Sequence, residues 1–134
     1  MTNTIIQKIN FVNTTPAILY ELYMNAEKHA LVTGSPAEIS DTEGSPFSAW
    51  DGYITGMNQK LIKNQLIVQS WLGSDWDDDA EPSTLVLFFE PSGDIVTLHM
   101  VHSHVPEKHA AAIDTGWHEF YWEPWKEFLF QNKQ

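Results

Sequence analysis

The chain has 134 residues, of which 18 are acidic and seven are basic, so its formal charge is −11 at neutral pH. This length is typical of one domain with its own core, and we expect residues 1–134 to form a single domain. The acidic excess argues against nucleic acid and against an anionic membrane surface as partners. Cysteine is absent, which excludes disulfides and thiolate chemistry.

Hydropathy and aromatic content further limit the class of protein that this chain can be. No N-terminal apolar run resembles a signal peptide, and no segment reaches the roughly 18 apolar residues that a membrane span needs. We therefore expect a cytoplasmic protein. Six tryptophans and seven phenylalanines argue against a disordered chain and predict a large core or a ligand cavity.

The N-terminal third predicts one strand followed by two short helices. Residues 5–12 are rich in β-branched side chains and alternate in part, as strands do. Pro16 suits the first turn of a helix that Thr14 or Thr15 would cap. A second helix is expected over residues 26–32, with Gly34 as its C-cap. A short strand is then expected over residues 37–41, before a turn at 42–46.

From residue 47 onward the apolar pattern changes to a period of two, which predicts antiparallel strands. The expected strands cover residues 47–50, 53–61, 65–72, 84–90 and 95–104. Short polar turns at 51–52, 63–64 and 92–94 would join them as hairpins. Residues 74–83 form a longer acidic loop.

Residues 106–130 predict one long helix, with Pro106 in its first turn. On a period of 3.6, its apolar face would consist of Ala110, Ile113, Trp117, Phe120, Tyr121, Pro124 and Phe128. Pro124 lacks the N–H that would bond to the carbonyl of Phe120, so we expect a kink there. Three further apolar side chains flank this face: Trp122, Trp125 and Leu129. Either the helix is broadly buried, or this flank touches a ligand or a second subunit.

The order of elements predicts an α+β fold with helices on one side of a curved antiparallel sheet. It resembles the helix-grip fold of the START-like superfamily, also called SRPBCC or birch-pollen-allergen-like. Within it, the chain is similar to the group homologous to the activator of the heat-shock-protein-ninety ATPase, the AHSA-type family. The segments that carry this resemblance are residues 26–30, 33–34, 44–56, 67–71, 101–106 and 116–117. Two departures are Pro46, where the family commonly has glycine, and the acidic run at residues 77–79.

The resemblance implies a sheet of about six to seven strands around a long C-terminal helix, with a cavity between them. Members of the superfamily bind lipids, hormones or polyketides, and some catalyse cyclisation or dehydration. The eukaryotic namesake stimulates the chaperone's ATPase as a two-domain protein. From the strand and helix patterns, ten residues are candidates to line the cavity: Trp50, Tyr53, Gln69, Trp71, Phe89, Met100, His102, Trp117, Phe120 and Tyr121. His102 and Gln69 would be the polar partners of buried Trp and Tyr groups. The alternative is that these side chains simply fill the core.

Metal and catalytic sites find little support in the sequence. His102 and His104 would share one face of a strand and His99 the other, but no third ligand can be identified. Asp75, with the acidic run at 77–79, lacks the glycine and distal glutamate of a calcium loop. Asp114 and His118 predict only a surface pair on the last helix. We expect no metal, no cofactor and no catalytic residue.

Three functions remain open. The first is a binding protein for a small hydrophobic or aromatic ligand in the cavity. The second is an interaction module that contacts a protein partner such as a chaperone, with a homodimer as a further possibility. The third is a weak cyclase or hydrolase that uses His102 and cavity water.

Overall fold

A computed structural model describes residues 1–132 of the chain. The strands are β1 (Thr2–Val12), β2 (Pro46–Ala49), β3 (Ile54–Ile62), β4 (Leu66–Gly73), β5 (Ser83–Ser92) and β6 (Ile95–Pro106). The helices are α1 (Pro16–Met24), α2 (Ala26–Thr33), α3 (Glu107–Trp117) and α4 (Glu123–Gln131), with a π-helical turn (His118–Trp122) between the last two.

The six strands form one antiparallel sheet in the order β1-β6-β5-β4-β3-β2, so β1 and β2 are its edges. Consecutive strands from β2 to β6 are neighbours because short turns join most of them. The turn residues Asn64 and Gly93 adopt positive φ, as tight hairpin turns require. The expected helix-grip architecture is confirmed: a curved sheet covers a long C-terminal helical segment, and two short helices follow the first strand.

The two short helices begin and end where their capping residues predict. Thr15 accepts a hydrogen bond from the N–H of Ile18 at 3.3 Å, and Pro16 is the first residue of α1. Gly34 ends α2 in the left-handed conformation with φ of 78°. The side chains of α1 at positions 19, 20, 22, 23 and 24 are all buried, so this helix fills part of the concave face of the sheet.

Two expected strand boundaries are wrong. Residues 37–41 form only an isolated bridge, in which Glu38 and Ser48 exchange two backbone hydrogen bonds of 2.9 Å. Trp50 does not belong to β2, because Trp50 and Asp51 adopt φ of 57° and 55° in the turn that follows. The ring of Trp50 is therefore placed by a left-handed turn rather than by strand alternation.

A β-bulge in β6 corrects the expected arrangement of the histidines. Asn3 pairs with Val105 and Ile5 with His102, so β6 has one more residue than β1 in this interval. His104 takes up the extra residue with φ of 63° and is exposed, whereas His102 is fully buried. His102 and His104 therefore do not share a face.

The C-terminal helical segment contains the largest difference from the sequence pattern. In the π-helical turn the N–H of Glu123 bonds to the carbonyl of His118, five residues back. One extra residue in a turn rotates everything after it relative to a 3.6 period. Trp122 and Trp125 consequently point inward and are fully buried, while Phe120 is 46% exposed. The interpretation of the Trp122–Trp125 flank as an external contact surface is wrong.

Pro124 explains why the irregularity lies where it does. It is the second residue of α4, which continues directly from the π-helical turn, so the missing N–H leaves one carbonyl of that turn without its usual donor. The π-helical turn immediately before it accommodates the carbonyl that proline cannot bond.

Within residues 1–132, no helix combines the length and the apolar character needed to cross a membrane.

Candidate functional site

A half-open pocket of about 470 Å³ lies between α3 with its π-helical turn and the end of the sheet formed by β3 and β4. We call it the aromatic pocket. It is lined by Trp50, Tyr53, Ile54, Trp71, Asp75, His109, Ala112, Ile113, Gly116, Trp117, Phe120 and Tyr121. Six of these lining residues are Trp, Tyr or Phe. Among residues 1–132, the only carboxylate in the lining is that of Asp75.

Six of the ten predicted cavity residues line this pocket: Trp50, Tyr53, Trp71, Trp117, Phe120 and Tyr121. The other four do not: Gln69, Phe89, Met100 and His102 are at most 1% exposed and belong to the core. Helix α1 covers part of this region, because Tyr20 packs edge-on against Phe89 and Tyr23 bonds to Gln69. The free space is therefore confined to one end of the sheet.

Three lining residues had no clear signal in the sequence. Asp75 comes from the acidic loop, and His109 and Ala112 come from the first turns of α3. Ile113 did lie on the predicted apolar face of the helix. Gly116 contributes by having no side chain, which leaves room beside the ring of Phe120.

A directed chain of hydrogen bonds fixes the polar wall of the aromatic pocket. Nδ1 of His29 lies 2.8 Å from the backbone carbonyl of Tyr23, which can only accept, so this nitrogen carries the proton. Nε2 of His29 must then accept from the hydroxyl of Tyr121 at 2.9 Å. The indole N–H of Trp50 donates to the same hydroxyl oxygen at 3.0 Å. Burial lowers the pKa of His29, which favours this neutral arrangement.

A second chain lies deeper, behind Trp71 and Trp117. The indole N–H of Trp117 donates to Nδ1 of His102 at 3.1 Å, so the proton of this imidazole is on Nε2. Nε2 then donates to the hydroxyl of Ser83 at 2.8 Å, and that hydroxyl donates to the carbonyl of Trp71 at 2.6 Å. His102 is therefore the polar partner of a buried tryptophan, Trp117, as the sequence predicted.

The direction of this chain decides what His102 can do chemically. A general base that activates serine must accept the serine proton, whereas here Ser83 directs its proton to a backbone carbonyl. Burial lowers the pKa of His102 to about 3, and no part of its side chain reaches solvent. This arrangement holds the sheet and α3 together and offers no route for proton transfer to a substrate.

A third polar contact ties β1 to the helical segment. Trp122 donates from its indole nitrogen to Oε1 of Gln7 at 2.6 Å, and Nε2 of Gln7 donates to the carboxylate of Asp114 at 2.6 Å. The expected surface pair of Asp114 with His118 is replaced by this contact across the fold. The Gln7 amide therefore uses both of its N–H groups and one of the two lone pairs of its oxygen.

The acidic loop forms one side of the aromatic pocket through Asp75, although most of its residues are exposed. Asp75 accepts a 2.6 Å hydrogen bond from the hydroxyl of Tyr53, and burial together with this carboxylate raises the pKa of Tyr53 to about 12. Trp76, which the sequence did not single out, is buried against Trp71 and stacks on His109 at 5.9 Å. Asp77 forms an ion pair with Lys108 at the start of α3.

Two other depressions have different chemistry. One of about 440 Å³ lies between the end of β1 and α4, and its walls include Glu123, Lys126 and Glu127. The other is shallow and lies over α2. Among residues 1–132, no group of three or more His, Asp or Glu side chains is placed to hold a metal ion. Of these three depressions within residues 1–132, the aromatic pocket is the one that combines an apolar surface with a few fixed polar groups.

Residues 13–129 match the family described as "Activator of Hsp90 ATPase homolog 1-like protein". The chain belongs to this family. The resemblance inferred from the short segments is therefore confirmed, and the match spans every residue that lines the aromatic pocket.

Family members that resemble this chain include larger proteins. One from Dictyostelium discoideum, named "Activator of 90 kDa heat shock protein ATPase homolog", is 26% identical over 103 residues. The matched part is 77% of this chain but only 27% of that relative. The chain thus spans about a quarter of the length of the curated relative it matches.

Solved structures of similar shape show the same fold. An HSP90 activator from Plasmodium falciparum has a TM-score of 0.83 at 22% identity, with 96% of each chain covered. Protein MLL2253 of Mesorhizobium loti has a TM-score of 0.85 at 15% identity, covering 98% of this chain and 100% of its own. The Aha1 dimer of Colwellia psychrerythraea has a TM-score of 0.77 at 16% identity, covering 90% and 92%.

Proposed function

We propose that this family member binds a small hydrophobic or aromatic ligand in the aromatic pocket. The observation that carries the proposal is the pocket itself, whose volume of about 470 Å³ is in the range typical of ligand sites. In its wall, the indole N–H of Trp50 and the hydroxyl of Tyr121 are already satisfied by the chain that ends at His29. A bound molecule would therefore meet a preformed wall and would displace no internal hydrogen bond.

Filling the pocket should abolish binding. Ala112 lies in the wall and its neighbour Ala111 does not, although both are exposed on α3. We expect the neutral fluorescent probe N-phenyl-1-naphthylamine to bind the unmodified protein. The Ala112→Phe variant should bind it at least tenfold more weakly, because the added ring occupies the cavity. Fluorescence titration measures this.

The matched control is Ala111→Phe, which adds the same ring outside the pocket and should bind as the unmodified protein does. Equal binding by both variants would contradict the proposed site. A lack of any response from the unmodified protein, in titration and in a thermal-shift screen of lipids and aromatic compounds, would contradict the proposed function.

A second candidate is a protein-interaction module that contacts a chaperone, and the family match favours it. The relative from Dictyostelium is named as an activator homologue of the 90 kDa heat-shock protein ATPase. The exposed acidic loop, with Asp78 and Asp79 on its surface, is the contact that we propose. A homodimer remains a further proposal, but the buried Trp122–Trp125 flank cannot provide its interface.

Charge reversal tests the chaperone contact. A pull-down with the 90 kDa chaperone should retain the unmodified chain and lose most of it when Asp78 and Asp79 are both replaced by lysine. Replacing Glu27 and Glu127 by lysine changes the net charge equally, away from this loop, and should have little effect. Equal loss in both variants would indicate nonspecific charge attraction instead.

A further inference from the structure

The residues that line the aromatic pocket also indicate which charge its ligand has. This inference rests on the proposed function. Within residues 1–132, the pocket lining contains six aromatic rings, one carboxylate and one imidazole, and no lysine or arginine. The ring centroids of Trp50 and Phe120 are 5.4 Å apart at an interplanar angle of 70°, and those of Trp50 and Tyr121 are 6.0 Å apart at 83°. Trp71 and Trp117 form a second wall, 6.2 Å apart.

Aromatic faces carry partial negative charge, so rings on several sides of a cavity attract a cation that has shed its water. The carboxylate of Asp75 adds a full negative charge at the same site. It is held in position by the hydroxyl of Tyr53 at 2.6 Å. Lys108, one residue before His109, is paired at 2.7 Å with Asp77, so its charge is compensated outside the pocket.

The net charge of the whole chain also favours a cationic ligand. With a formal charge of −11, the chain attracts cations and repels anions over the distance that salt permits. Within residues 1–132, a ligand carboxylate would meet no lysine or arginine in the lining, and it would face Asp75 at close range. A hydrophobic acid is therefore a poor occupant of this pocket.

We infer that the aromatic pocket selects hydrophobic organic cations, such as aryl-alkyl amines or quaternary ammonium compounds, over neutral and anionic molecules of the same shape. The cationic group would lie between the ring of Trp50 and the carboxylate of Asp75. The apolar part would lie along Ile113, Gly116 and Phe120. Selectivity would then come from fixed rings and one charge, without any hydrogen bond from the protein to the ligand.

Two probes of matched shape and one anion test the inference. Benzyltrimethylammonium and neopentylbenzene have the same shape and differ in charge, and phenylacetate supplies the anion. Each competes against N-phenyl-1-naphthylamine at pH 8, where free imidazole is neutral. We expect the ammonium compound to bind about tenfold more tightly than neopentylbenzene, a difference of about 1.4 kcal/mol. Phenylacetate should bind most weakly.

Asp75→Asn is the decisive variant, because the amide oxygen still accepts from Tyr53 while the charge is lost. It should weaken benzyltrimethylammonium binding about five- to tenfold and leave neopentylbenzene binding unchanged. Asp94→Asn, in the turn between β5 and β6 at the opposite end of β6 from α3, removes the same charge and should change neither.

Each other outcome has a distinct meaning. If neopentylbenzene or phenylacetate competes as well as the ammonium compound, the charge selectivity is overturned while ligand binding in the pocket stands. If Asp75→Asn and Asp94→Asn weaken the ammonium compound equally, the preference comes from net charge and the pocket assignment of the cation is overturned. If the unmodified protein gives no signal with N-phenyl-1-naphthylamine and no thermal shift with the ammonium compound or any other compound screened, both the inference and the proposed function fail.

Discussion

Replacing Trp122 by alanine should lower the free energy of unfolding by about 3–5 kcal/mol, the usual effect of removing a fully buried tryptophan. Trp122 stacks on Trp117 at 5.3 Å, packs against Trp125 at 5.1 Å and touches Phe11. It also donates to Gln7 at 2.6 Å, so the variant leaves a buried amide oxygen without its donor. Urea unfolding monitored by circular dichroism measures the loss.

Phe120→Ala is the matched control, because Phe120 lies two residues earlier in the same π-helical turn and is 46% exposed. It should change the unfolding free energy by less than about 1 kcal/mol. Trp122→Phe should fall between the two variants, since it keeps most of the apolar volume and loses only the indole N–H. If Phe120→Ala proves more costly than Trp122→Ala, the face assigned by the π-helical turn is wrong.

Acidification should destabilise the protein in a window set by its buried histidines. Burial lowers the pKa of His102 to about 3 in the folded state, against about 6.5 in the unfolded chain. Below pH 6.5, His102 is therefore protonated in the unfolded chain but stays neutral in the folded state. The stability contribution of His102 is complete above pH 6.5 and is lost progressively as the pH falls towards 3. Burial lowers the pKa of His29 as well, and this acts in the same direction.

The slope of stability against pH is the quantity to measure. One such histidine contributes up to about 1.4 kcal/mol for every pH unit. Unfolding free energies between pH 6.5 and 4 should fall less steeply in His102→Gln than in the unmodified protein, by up to this amount per unit. The variant also starts from a lower stability, because Trp117 and Ser83 lose their partner, but this offset does not alter the comparison of slopes.

His118→Gln is the control for this experiment, because it makes the same substitution at an exposed site outside the core. Carboxylates titrate below about pH 5 in all three proteins, so their effect cancels in the difference. Parallel lines for His102→Gln and the unmodified protein would show that His102 titrates in the folded state as it does in the unfolded chain. The buried neutral imidazole would then be an incorrect description.

The α+β order of elements could be inferred from the sequence because it depends on local patterns, and the resemblance of short segments to the AHSA-type family added the helix-grip fold. Alternation along β4 and β5, the Thr15 cap of α1 and the Gly34 cap of α2 are each set by a few neighbouring residues. Sequence patterns also predicted six rings of the aromatic pocket, but only Trp71 lies on a strand; Trp50 and Tyr53 lie in the turn before β3. These features need only the backbone period and the location of the turns.

Tertiary structure alone decided which part of the concave face stays open and which rings face it. A constant helical period placed Phe120 inside and Trp122 beside the core, whereas one additional residue in the π-helical turn reversed the two. Helix α1 filled the region of Gln69 and Phe89, and a loop residue, Trp76, covered the end of the sheet. Such choices depend on contacts between residues distant in sequence, which compete for the same space. Composition and periodicity describe each element by itself and cannot determine which of them occupies that space.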